Sequence, residues 1–180
     1  LTMCFASVAQ AEAPLVPKQV PGYYRMQLGR FEVTALYDGA IELDTKLLYD
    51  ARPADLQRLL SRMFVGNPKM QTAVNAYLVN TGRNLVLVDT GAAKLFGPRL
   101  GYVLQNLKAA GYEPAQVDTV VITHLHGDHM GGLNDAEGRP LFAKAKILVS
   151  QTDNDFWLSQ KVADAAPAQF QRFFKMARDV

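Results

Sequence analysis

All three histidines of this 180-residue chain fall within six consecutive positions, His124-Leu125-His126-Gly127-Asp128-His129. Imidazole is the commonest protein ligand for metals, and a carboxylate set among three of them makes a compact cluster of N and O donors. A solvated, His-rich turn is the bland alternative, and the flanking residues argue against it. Val117 to Thr123 (V-D-T-V-V-I-T) is β-branched and apolar, the composition of a buried strand, so the cluster stands at that strand's C-terminal end. Gly131-Gly132 follows directly, where the chain must turn or pack closely. In extended backbone, residues two apart point the same way, so His124 and His126 can bind one metal together. Asp128 and His129 lie past Gly127, where the chain is free to bend toward a second metal.

The rest of the chain reads as strands followed by strands alternating with helices. Pro14 to Pro21 is an extended, Pro-rich lead-in. Arg25 to Leu43 predicts a β-hairpin turning at Asp38-Gly39, with Tyr23, Tyr24 and Phe31 in the sheet core. Pro53 to Phe64 carries helical periodicity with Pro in its first turn. Strands are expected at Ala73 to Val79, Leu85 to Asp89 and Lys146 to Ser150. Helices are expected at Leu100 to Ala110, closed by Gly111, at Thr152 to Ala163 and at Ala168 to Arg178. This order predicts an α+β fold of two sheets covered by helices, in one domain.

The pattern H-x-H-x-D-H after a buried strand resembles the signature of the metallo-β-lactamase superfamily. Asn84 to Gly91 (N-L-V-L-V-D-T-G) matches a second mark of it. Within the superfamily the chain is most similar to methyl parathion hydrolase-like metallohydrolases. The stretches that carry this are Pro21 to Gly39, Tyr77 to Pro98, Leu107 to Tyr112 and Asp155 to Gln160. The resemblance implies an αββα sandwich, of which residues 23–180 form roughly the N-terminal half. It implies His124 and His126 on one metal and Asp128 and His129 on the other, with Asp89 supporting them from behind. It also implies two divalent ions, zinc by default, that share a hydroxide as nucleophile, with Asp128 orienting the attacking water. Phe96, Trp157 and Phe173 match positions lining a hydrophobic substrate pocket, and Phe174 could exchange roles with Phe173. Relatives often carry Pro where this chain has Gly127. That affects loop stiffness and substrate preference rather than metal binding.

The expected activity is hydrolysis of a phosphotriester or carboxylic ester. The alternatives are a lactonase acting on acyl-homoserine lactones, a β-lactamase-like hydrolase of the same fold, and a non-catalytic metal-binding or scaffold protein. The family completes its site with a His, an Asp and a His farther along. No histidine follows His129, and Asp153, Asp155, Asp164 and Asp179 come too early to bridge two metals. The chain is therefore expected to be truncated at its C-terminus and a poor catalyst alone.

Residues 1–11 end in Ala9-Gln10-Ala11, an A-x-A cleavage pattern that predicts the end of a signal peptide, with 12–22 as lead-in. Cleavage there would remove Cys4, the sole cysteine, and place the protein in a bacterial periplasm or outside the cell. A net charge of +2, with basic residues spread along the chain, argues against nucleic acid and anionic membranes as partners. The expected partner is a small-molecule ester or lactone, and a homodimer is left open.

Overall fold

The computed structural model describes residues 13–17, 19–66 and 69–180. The A-x-A pattern and Cys4 lie outside them. Six strands form one sheet in chain order: β1 (Tyr23–Leu28), β2 (Phe31–Asp44), β3 (Lys69–Asn80), β4 (Leu85–Val88), β5 (Thr119–Val121) and β6 (Lys146–Leu148). The first four pair antiparallel and β4-β5-β6 pair in parallel. Helix α1 (Pro53–Arg62) joins β2 to β3, and α2 (Val103–Ala109) makes the crossover that a parallel β4-β5 pair requires. The one-turn helix α3 (Gly127–Met130) follows β5. After β6 come α4 (Gln151–Trp157), α5 (Gln160–Ala165) and α6 (Ala168–Asp179). The sequence predicts two sheets; the described residues form one, with its helices. That is half of a four-layer sandwich.

The core lies between this sheet and α2. Leu36, Ala76, Leu78, Leu87 and Val120 project from successive strands onto Val103 and Leu107 of α2, and Met130, Phe142 and Ala177 close the end beneath the histidines. Leu107 is fully buried. Truncating such a leucine to alanine costs about 2–5 kcal/mol.

Three local expectations change. The hairpin turns at Gly29-Arg30, with Leu28 paired to Phe31, and not at Asp38-Gly39. Gly29 takes φ 60°, as a two-residue turn with Gly first demands. Asp38 instead sits fully buried inside β2 at a bulge, accepting the backbone N–H groups of Ala92, Gly101 and Val103 at 2.9, 3.1 and 3.1 Å. Gly39 is there because a Cβ would stand 2.0 Å from the Arg99 carbonyl oxygen. Second, Tyr23, Tyr24 and Phe31 are 37, 70 and 43% exposed and not core: the two tyrosines lie on β1, the edge strand of the sheet, and Phe31 opens β2 beside the hairpin turn. Third, the helix predicted at 152–163 breaks in two, with Ser159 capping the second piece through Val162 N–H.

Candidate metal centre

The histidine cluster is held by two strand ends and one glycine-rich contact. β4 and β5 run parallel, so their C-terminal ends lie side by side. This brings Asp89, just past β4, against Thr123 and the histidines just past β5. Asp89 is buried and in left-handed backbone at φ 59°, which Asp tolerates better than most residues. Its carboxylate accepts Thr123 N–H at 2.8 Å, Thr123 Oγ1–H at 2.9 Å and His129 Nδ1–H at 2.8 Å. Thr90 fixes the other end of the turn, donating its N–H and Oγ1–H to the His129 carbonyl at 2.7 and 3.0 Å. Gly132 permits that approach, since a Cβ there would meet the Thr90 carbonyl oxygen at 2.2 Å. The glycine pair thus serves close packing, as its place after the motif predicts.

The structure gathers His124, His126, Asp128 and His129 into one cluster. The His124 and His126 rings are 4.6 Å apart between centroids, and His124 and His129 are 3.9 Å apart. His126 is extended, with φ −84° and ψ 149°, and starts α3, where the sequence predicts only a bend. Asp128 Oδ2 lies 3.4 Å from His129 Nε2. Among the described residues, no three His, Cys, Asp or Glu side chains are arranged as they stand to hold one metal ion. The His124 and His126 rings meet edge to face, and both nitrogens of His129 meet carboxylates. The donors are collected but not aligned on a point.

The charges follow from these contacts. Hydrogen bonds that His129 donates to the carboxylates of Asp128 and then Asp89 raise its pKa to about 9, so it is an imidazolium at neutral pH. Burial, and then the neighbouring imidazoles of His129 and His126, lower His124 below its usual value. Burial alone would push Asp128 up, yet the hydrogen bond and charge of His129, with smaller backbone and His126 contributions, outweigh it and hold the carboxyl below its usual range. Thr123 Oγ1 also lies 3.1 Å from His124 Nδ1. The single hydroxyl proton goes to the Asp89 carboxylate. The neutral His124 therefore carries its proton on Nδ1 and leaves Nε2 as the donor atom.

The three aromatic residues singled out by the sequence all border the cluster. Trp157 stands edge-on to His126 at 5.0 Å and Phe173 lies 6.3 Å from it. Phe96 rests over Gly127, where a Cβ would come within 3.1 Å of its ring. The helix phase is settled: Phe173 faces His126, while Phe174 is buried against Trp157 at 4.7 Å. Trp157 and Phe173 thus make an aromatic wall beside His126, while Phe96 covers Gly127. A cavity of about 710 Å³ lies between Asp38, Leu100, Gly131, Phe142 and Val180, and none of His124, His126, Asp128 and His129 lines it. Sequence reasoning covered Thr123, Thr90 and Asp153 but gave none of them a part in holding the cluster. No helix among the described residues is long and apolar enough to cross a membrane.

The metallo-beta-lactamase superfamily profile matches residues 71–147. The hydrolase AbOPH of the beta lactamase superfamily is 40% identical with a TM-score of 0.83, over 90% of this chain and 56% of that one. AidC, a dizinc quorum-quenching lactonase solved with the product N-hexnoyl-L-homoserine, is 27% identical with a TM-score of 0.75, over 87% of this chain and 59% of AidC. The Beta-lactamase-like protein 2 homolog of Drosophila melanogaster is 37% identical across 43% of this chain and 26% of that protein. The chain thus spans little more than half the length of the two solved relatives. Residues 71–147 carry the metallo-beta-lactamase superfamily match, and the sheet and helices around them share the fold of the solved superfamily hydrolase.

Proposed function

We propose that this chain supplies one half of a binuclear metal-dependent hydrolase of the methyl parathion hydrolase-like type, acting on phosphotriesters or carboxylic esters. One observation carries the reading: four N and O donors are clustered past β5 with Asp89 fixing the ring of one and an aromatic wall beside them. Three imidazoles and a carboxylate are the donor chemistry that zinc takes, and a carboxylate behind a ligating histidine is its usual support. Such ions, when bound, lower the pKa of water to about 7 and polarise the substrate oxygen.

The chain's own residues do the rest. His124 and His126 would hold one ion, and Asp128 and His129 the other. Asp89 retains the proton on His129 Nδ1 and so turns Nε2 toward the site. With the ions bound, Asp128 would accept a hydrogen bond from the attacking water and orient it. Trp157, Phe173 and Phe96 bind the apolar part of the ester and exclude bulk water.

A second reading, a lactonase, is favoured by the likeness to AidC. The aromatic wall would then hold an acyl chain. The test is chelator-sensitive hydrolysis by the native protein carrying this sequence, compared on an aryl phosphotriester, an aryl carboxylic ester and an acyl-homoserine lactone. The leading reading predicts the two aryl esters turn over faster. Preference for the lactone supports the second, and turnover of all three after chelation contradicts both.

A further inference from the structure

Helix α4 touches the ligand loop at two points one turn apart. Asp153 Oδ1 accepts the N–H of Leu125, the residue between His124 and His126, at 3.2 Å. Four residues on, Trp157 sets its ring against His126. The carboxylate is itself oriented by the start of its own helix. Asp153 Oδ2 accepts Ser150 Oγ–H at 3.0 Å, while Asp153 N–H donates to Ser150 Oγ at 3.1 Å. Both Asp153 oxygens are thereby engaged, which gives this carboxylate a task other than binding a metal. The Leu125 side chain is buried in the core, so the loop is anchored below by its side chain and sideways by its N–H.

We infer that Asp153 is a positioning residue: it ties the backbone between His124 and His126 to the helix that carries Trp157. Donor spacing and the aromatic wall then move as one body. The inference rests on the reading of His124 and His126 as ligands. Two residues at i and i+4 lie on one helix face, so a shift of α4 would displace both contacts together.

The experiment compares wild type, Asp153→Ala, Asp153→Asn and Ser150→Ala in the full chain by Leu125 amide exchange after chelation and by Zn2+ titration. Asp153→Ala should speed Leu125 exchange about tenfold, the loss of one hydrogen bond, and weaken Zn2+ binding about 10–100-fold. Asp153→Asn should restore both, because its Oδ1 still accepts Leu125 N–H and its Nδ2 can donate to Ser150 Oγ. Ser150→Ala removes the helix cap and one anchor of the carboxylate but leaves the Leu125 bond, and should weaken Zn2+ binding less than Asp153→Ala does. Unaltered Leu125 exchange in Asp153→Ala, or equal loss of affinity in Ser150→Ala, would overturn the inference. If wild type takes up no Zn2+, the functional reading fails, and the exchange comparison still decides whether Asp153 holds the loop.

Discussion

Asp89→Ala tests whether one carboxylate holds the centre together. The substitution strands three donors: Thr123 N–H, Thr123 Oγ1–H and His129 Nδ1–H. Hydrogen bonds to a charged group are worth about 1.5–3 kcal/mol each. Thr123 is exposed and His129 half-buried, so water recovers roughly half, leaving about 2–3 kcal/mol at the low end of that range. The left-handed backbone at φ 59° adds about 1 kcal/mol for alanine. With a urea slope of about 2 kcal/mol/M, a loss of about 3–4 kcal/mol lowers the unfolding midpoint by about 1.5–2 M. Asp89→Asn keeps the backbone preference and one carbonyl acceptor, and should lose about a third of that. The assay is urea unfolding followed by the fluorescence of Trp157, the sole tryptophan, which packs against the core. A midpoint shift under about 0.3 M for Asp89→Ala would refute the reasoning.

Three further outcomes follow from the same geometry. His129 should titrate near 9 by NMR in the chelated chain; because its folded value is raised, its stabilisation is full below about 6.5 and is lost as pH rises through about 9. Zinc uptake at neutral pH should therefore release protons, seen as calorimetric heats that vary with buffer ionisation enthalpy, and buffer-independent heats would contradict the imidazolium assignment. Gly127→Ala places a methyl 3.1 Å from the Phe96 ring, so it should shift the preferred ester size with little change in zinc affinity, as kcat/KM across a homologous ester series would show.

Much of the centre was legible because its signals are local. A β-branched run, a donor cluster and a glycine pair occupy one continuous stretch, Val117 to Gly132, and they fold where periodicity places them. The misreadings came from partners far along the chain. Asp38-Gly39 carries a hairpin signal, but Asp38 answers to amides 54 to 65 residues away. Asp153 reads as a stray carboxylate because Leu125, its partner, is 28 residues back. Tyr23 and Tyr24 sit in a strand pattern as core residues do, and only the sheet order shows that β1 is an edge. The Phe173/Phe174 choice needed the packing of α6 on Trp157, which no pattern within α6 contains.

The most direct test of the metal reading is a Co2+ titration, followed by visible absorption, of the wild-type chain beside His126→Ala. The account predicts ligand-field bands for wild type, abolished by chelator and by His126→Ala. Equal Co2+ uptake with the same bands in both proteins, or none in either, would contradict it.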